Sequence, residues 1–108
     1  GAIGFDLNAA CSGFVFALST AHRLVESGAY RNALVIGADL TTAIADYSDR
    51  SNCVLFGDGA GAIVVGESDS GSELLDHVLG MDGTGAELLC VPAGGTRLPA
   101  SDASGSDS

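Results

Sequence analysis

Cys11 is the residue in this chain best placed to do chemistry. It lies in Phe5-Asp6-Leu7-Asn8-Ala9-Ala10-Cys11-Ser12-Gly13-Phe14, where an extended apolar segment gives way to a helical pattern. Residues 4–7 read as the end of a buried strand and 8–10 as a small-residue turn, with Phe14, Val15, Leu18, Ala21 and Val25 as the apolar positions of one helix. Cys11 is then expected at the helix N-terminus. There the first backbone N–H groups lack intrahelical partners and the aligned peptide dipoles add roughly half a positive charge. Both effects favour a thiolate, and the same N–H groups can steady a negative oxygen on an acyl group carried by the sulfur. Ala9, Ala10, Ser12 and Gly13 are small enough to let a bulky acyl chain approach. A cysteine among alanines is also commonly a buried small hydrophobe, so position alone leaves a structural role open.

A working cysteine wants a base within about 3 Å. His22 follows Cys11 by eleven residues, about 16 Å along a helix axis, and is not that base. His77 falls in a stretch, 74–81, that reads as a strand, where a solvent-tipped or hydrogen-bonded histidine is expected. Asp82 and Glu87 lack the flanking carboxylates and spacing of a calcium loop. The residues themselves offer one activated-looking thiol and no convincing base.

The elements that must hold this thiol can be read in order. The helix is expected from 11 to 27, with Gly28 as a left-handed residue just past its end. Its early turns are apolar or small nearly all round, which predicts burial on most sides and a thiol kept from solvent, while His22, Arg23 and Glu26 take the far end to water. Residues 33–38 (Ala-Leu-Val-Ile-Gly-Ala) form a short continuous apolar run. Such a run predicts a strand covered on both faces, in a largely parallel sheet with the helix as a right-handed crossover. Residues 39–52 are polar and irregular, with a helical turn near 41–45 and an exposed loop at 46–51 that carries Arg50.

The series Gly57-Asp58-Gly59-Ala60-Gly61-Ala62 invites a nucleotide-loop reading. A dinucleotide fingerprint needs a helix directly afterwards and a P-loop needs Gly-Lys-Ser/Thr. Here Ile63-Val64-Val65 follows and the chain holds no lysine, so the glycines are expected to permit close packing or a tight bend into a strand. A nucleotide-binding α/β domain survives only if a helix follows Gly61. Beyond it, 67–73 reads as a turn, 74–81 as a strand, 82–85 as a turn and 87–92 as extended chain. From 93 the composition falls to Gly, Ser, Ala, Asp and Pro with no hydrophobic period, giving an expected division into a domain of 1–92 and a loop or linker of 93–108.

Composition narrows the function classes. At 108 residues and 46% hydrophobic the chain can build one modest core. The formal charge of -10 argues against nucleic-acid binding, which needs a basic surface. Three cysteines without C-x-x-C spacing make a disulfide framework or a zinc site unexpected and point to a reducing compartment, here the cytoplasm. The apolar run at 9–21 is too short to span a bilayer and lacks the basic leader of a signal peptide, so no membrane association is expected. The first residue is not Met and already looks like mid-strand, which reads as an internal piece of a longer polypeptide.

The decamer around Cys11, followed by 33–39, Asp49-Arg50-Ser51, 56–62, Asp82-Gly83 and Glu87-Leu88-Leu89, resembles the β-ketoacyl-acyl carrier protein synthase III family of thiolase-fold condensing enzymes. Several motifs in the same order and spacing cover most of the chain. The resemblance implies an α/β fold, part of the N-terminal half of a layered αβαβα thiolase-like architecture. It also implies an acyltransferase in which Cys11 takes a short acyl group from acyl-CoA and a carbanion from malonyl-acyl carrier protein then attacks that thioester.

By the same resemblance Arg50 would lie against the CoA adenine, and Phe56 and Leu89 would wall the acyl pocket. Thr41 falls where members often carry a larger apolar residue. No cofactor and no metal are implied; the partners would be acyl-CoA, acyl carrier protein and a second copy of the chain. The family's catalytic His and Asn have no match here, so these 108 residues alone are expected to be inactive. Two rivals remain, a starter-unit condensing enzyme of polyketide or secondary metabolism, and a non-catalytic acyl-binding domain with a structural Cys11.

Overall fold

The computed structural model describes residues 1–69, 73–91 and 93–99, and the chain divides into two compact units, Gly1–Val78 and Leu79–Ser108. The first unit holds a helix α1, Gly13–Glu26, entered through a 3-10 turn at Ala10–Ser12, and two strands, β1 (Asn32–Leu40) and β2 (Asp58–Gly66). A second 3-10 turn, Thr41–Ala43, leaves the end of β1.

Helix α1 ends as its residues require. Gly28 takes a φ of +75°, a conformation that costs an L side chain energy, and its N–H donates to the Val25 carbonyl at 2.9 Å. Arg23, in the last turn, pairs with Glu26 at 2.6 Å, and this contact holds the Glu26 carboxyl below the usual carboxylate range. The start of α1 is different: the expected onset near 11 is observed, but as a 3-10 turn that becomes α-helical only at Gly13.

β1 and β2 run antiparallel in unbroken register from Asn32 opposite Gly66 to Leu40 opposite Asp58. The expected parallel βαβ unit is not formed. Residues 4–7 carry no ladder, and a strand exists only where another strand satisfies its N–H and C=O groups. Coverage on both faces is also not observed. Val35 is 4% exposed, whereas its neighbours Leu34 and Ile36 are 63% and 61% exposed. Directly opposed residues of an antiparallel pair share a face. Val35 and Ile63 therefore belong to the side that α1 packs against, and Leu34 and Val64 to the side it does not reach. A continuous apolar run shows that both faces of β1 are suited to burial; a single helix covers one.

The core is accordingly small, with Ala21, Val25 and Val35 as its buried apolar residues and Ser19 as its buried polar one. Phe14 and Val15 in the first turn of α1 are 38% and 48% exposed, so the helix is buried over its second half and not, as its composition suggests, at its beginning. The helix approaches the sheet closely at one point. A Cβ on Gly37 would come within 3.2 Å of the Phe14 ring, so the absence of a side chain there lets the first turn of α1 settle on β1. At Gly57, Gly59 and Gly61 a Cβ would meet nothing within 4 Å, so close packing is not what these glycines provide. β2 begins at Asp58 and continues through Ile63-Val64-Val65 with no helix after Gly61, which removes the nucleotide-loop reading.

Residues 74–81 form no strand, and Leu75, Val78 and Met81 are each at least 86% exposed. Their apolar content has no third strand to pair with among the described residues. In the second unit the turn expected at 82–85 is present as a 3-10 turn, Gly83–Gly85. Asp82 accepts hydrogen bonds from the Thr84 N–H at 2.9 Å and hydroxyl at 2.6 Å, which keep its carboxyl below the ordinary range. Of the extension expected at 87–92, residues 87 and 88 instead belong to a further turn closed by the Leu88 N–H on the Gly85 carbonyl, because the 3-10 hydrogen bonding begun at Gly83 continues into it. Pro92 and residues 100–108 lie outside the described residues, and with them most of the expected linker.

Candidate active site

Cys11 occupies the middle of the 3-10 turn that begins α1, and it is exposed. The local chain is bent to put it there. Ala10 adopts a φ of +48°, the only positive value at a non-glycine among the described residues, and its N–H is held by the Asn8 Oδ1 at 3.1 Å. Asn8 is suited to this because its short amide can bond to the backbone two residues on. The Ser12 N–H then returns to the Ala9 carbonyl at 3.1 Å, and the Gly13 N–H to the Ala10 carbonyl. A left-handed alanine costs on the order of 1 kcal/mol or more and persists only where the surroundings enforce it. The sequence shows the small residues here; the reversal of φ at Ala10 is visible only in three dimensions.

The helix start is left electrically open. Ser12, at the N-cap position, makes no side-chain capping bond, and the first turn holds no acidic residue. No carboxylate therefore opposes the helix dipole at this end, although the Ser12 and Gly13 N–H groups are taken up by the 3-10 turn itself. The expectation of a thiol kept from solvent is not met among the described residues, where Cys11 is exposed.

Beside this end lies an open groove bounded by Phe14 of α1, Gly37 and Asp39 of β1, and Gly57 and Asp58 at the head of β2. Phe56, half-buried, immediately precedes it in the chain. Thr41 joins the same region through its hydroxyl, which donates to the Gly57 carbonyl at 2.6 Å. The next residue adds two bonds: the Thr42 N–H donates to Asp58 Oδ1 at 2.9 Å and the Thr42 hydroxyl to Asp58 Oδ2. These bonds hold the Asp58 carboxyl below its ordinary range. Sequence reasoning missed this pairing, because Thr42 and Asp58, like Thr41 and Gly57, stand sixteen residues apart and become neighbours only when β1 and β2 pair.

Of the helix start, Phe14 lines this groove, while Cys11, Thr41 and Phe56 are not among its lining residues. Arg50 is exposed on the loop between the strands, where its neighbour Asp49 accepts from the Ser51 N–H and hydroxyl and so shapes the turn. Leu89 belongs to the second unit, with its side chain 68% exposed.

Neither histidine serves Cys11. His77 Nε2 lies 3.0 Å from the Ser19 hydroxyl, and Ser19 is eight residues past Cys11, roughly 12 Å along the helix. The reading of His77 as a hydrogen-bonded histidine holds, though it sits on irregular chain and not in a strand. His22 has a buried Nδ1 with no partner among the described residues. No group of three or more metal-ligating side chains occurs among the described residues, and no helix there is long and apolar enough to cross a membrane.

Residues 5–83 match the family model described as 3-oxoacyl-[acyl-carrier-protein (ACP)] synthase III. The chain is 54% identical over 100 residues to the beta-ketoacyl-[acyl-carrier-protein] synthase III of Caldanaerobacter subterraneus, covering 93% of this chain and 30% of that protein. It is 56% identical over 98 residues to the protein of the same name from Chlamydia caviae, covering 90% of this chain and 29% of the relative. Among solved structures, the synthase III of Thermus thermophilus superposes with a TM-score of 0.73 at 48% identity over 77% of this chain and 26% of the other. The synthase III of Aquifex aeolicus gives 0.59 at 55% identity over 61% of this chain and 21% of the other. The fold is therefore α/β and a part of the thiolase-like architecture of those structures, and the chain spans about 30% of the length of the curated relatives it matches.

Proposed function

Because this chain belongs to the 3-oxoacyl-[acyl-carrier-protein] synthase III family, we propose that the protein starts acyl chains by condensing a short acyl-CoA with malonyl-acyl carrier protein. The supporting observation is the placing of Cys11: exposed, at the uncapped end of α1, behind the left-handed Ala10.

Each step balances on that sulfur. The Cys11 thiolate attacks the acyl-CoA carbonyl carbon; the new C–S bond forms as the bond to CoA breaks, and CoA leaves as the thiol after taking a proton. While the tetrahedral oxygen is negative, the positive end of the α1 dipole stabilises it. In the second step the malonyl C–C bond breaks, carbon dioxide leaves, and the electron pair left behind attacks the Cys11 thioester. The 3-oxoacyl product departs on the carrier and Cys11 returns as thiolate.

Within this reading Arg50 meets the CoA adenine, Thr41 and Phe56 bound the acyl group, and no cofactor is used. The histidine and asparagine that the family resemblance assigns to decarboxylation have no match among residues 1–108, so in this reading these residues by themselves load an acyl group at most and do not condense. The protein acts in the cytoplasm as a homodimer that receives acyl carrier protein.

Incubating the full-length protein with acetyl-CoA and mapping peptides by mass spectrometry tests the reading. A stable acetyl adduct is expected on Cys11 and absent from Cys53 and Cys90. Its absence, or equal labelling of all three, overturns the assignment and leaves a non-catalytic acyl-binding domain. A panel of acyl-CoA primers then separates fatty-acid initiation, which favours small acyl groups, from a secondary-metabolism starter enzyme.

A further inference from the structure

We propose that Asp58 and Thr42 form a clamp that sets which acyl groups Cys11 accepts, by fixing Thr41 and Phe56 as one body. The inference rests on the functional reading above, in which Thr41 and Phe56 bound the acyl group. The turn Thr41–Ala43 leaves β1 and the segment Phe56-Gly57 leads into β2, and neither belongs to the sheet ladder, which stops at Leu40 opposite Asp58. Beyond that last pair, three hydrogen bonds join the two chain segments. The Thr42 N–H and hydroxyl donate to the two carboxylate oxygens of Asp58, and the Thr41 hydroxyl donates to the Gly57 carbonyl.

The chemistry of the three groups suits a clamp. A carboxylate can accept from a backbone N–H and a hydroxyl at once, one on each oxygen, and bonds to an ionised acceptor are shorter and stronger than neutral ones. The Thr41 hydroxyl is engaged with backbone, so its position follows that of Gly57 and hence of Phe56 beside it. Gly57 has open space around its Cα. In this scheme the three bonds tie the Phe56-Gly57 segment to the turn after β1, and removing them leaves the spacing of Thr41 and Phe56 variable. Asp58 and Thr42 touch no acyl group in this scheme; they are positioning residues.

The experiment measures acyl-Cys11 formation by the full-length protein with acetyl-CoA and with isobutyryl-CoA, as the ratio of the two kcat/KM values for loading. Asp58→Ala removes two of the three bonds and is expected to shift that ratio by about five- to tenfold toward the branched primer, and Thr42→Val, which keeps the backbone bond, by about threefold. Thr42→Ser keeps all three and should stay within about twofold of the unsubstituted protein. A merely structural role would lower the melting temperature of Asp58→Ala and Thr42→Val while leaving the ratio untouched, and that result overturns the clamp alone. No adduct from either primer on the unsubstituted protein overturns the functional reading and the clamp with it.

Discussion

The two ends of α1 are built in opposite ways. At the far end the chain closes on itself: Gly28 supplies the left-handed residue, Arg23 and Glu26 pair, Val25 and Ala21 are buried, and His77 is bonded to Ser19. At the near end the left-handed residue is an alanine, no side chain caps the amides, Phe14 is partly exposed and Cys11 stands in the open. One end minimises its own free energy and the other leaves interactions unmade. Under the proposed function a substrate oxygen meets the helix at the near end, so the difference separates the part of α1 that serves stability from the part to which the proposal assigns chemistry.

The comparison breaks most completely at the sulfur. Cys11→Ser should lower acyl-adduct formation from acetyl-CoA by about three orders of magnitude, since a hydroxyl is a far weaker nucleophile than the sulfur it replaces. Its melting temperature should hold, because the side chain is exposed. Next comes the core behind the closed end. Val35→Ala is expected to cost about 2 kcal/mol in chemical denaturation of the full-length protein and to leave the adduct on Cys11 in place.

Exchanging the two left-handed positions sharpens the contrast. Ala10→Gly should be tolerated within about 1 kcal/mol, whereas Ala10→Val, β-branched at positive φ, should cost about 1 to 3 kcal/mol and slow loading. Gly28→Ala should cost about 1 kcal/mol and leave loading unchanged, because Gly28 serves only the closed end. Unfolding curves alongside adduct kinetics separate the two.

The smallest effect is electrostatic. Glu26 and Asp58 titrate below their ordinary ranges, through the bond from Arg23 and the bonds from Thr42 respectively. A carboxylate whose folded pKa lies below its unfolded one contributes stability in full above the unfolded value and loses it as pH falls through the folded value. Acidification below the ordinary carboxylate range should therefore weaken the closed end and the clamp in step, and Glu26→Gln should flatten the first effect in a titration of melting temperature.

Much of the fold was legible because it is written in local terms. The helix, its end at Gly28, both strands, the 3-10 turn after β1 and the turn capped by Asp82 follow from periodicity, β-branching and turn chemistry. The errors share a cause. The strands expected at 4–7 and 74–81 and the parallel arrangement of β1 concern which segments pair, and an apolar extended segment reads the same whether or not a partner lies beside it.

The site divides along the same line. Cys11 at a helix start is a local fact and was visible from the spacing of Ala9, Ala10, Ser12 and Gly13. The family followed from motifs in order. The strained φ at Ala10 was not visible, because many backbone paths fit a run of alanines, and the bond of Asp58 to Thr42 was not visible, because it exists only through strand pairing.

By itself, then, the sequence determined which residue the proposed chemistry falls on and that a helix begins there, since both depend on side chains within one turn of each other. The tertiary structure alone decided that the sulfur is exposed, that one face of β1 is covered and the other bare, and that Thr41 is tied to Gly57. Those outcomes depend on contacts between segments far apart in the chain, and no local pattern encodes which of two equally apolar faces a single helix will cover.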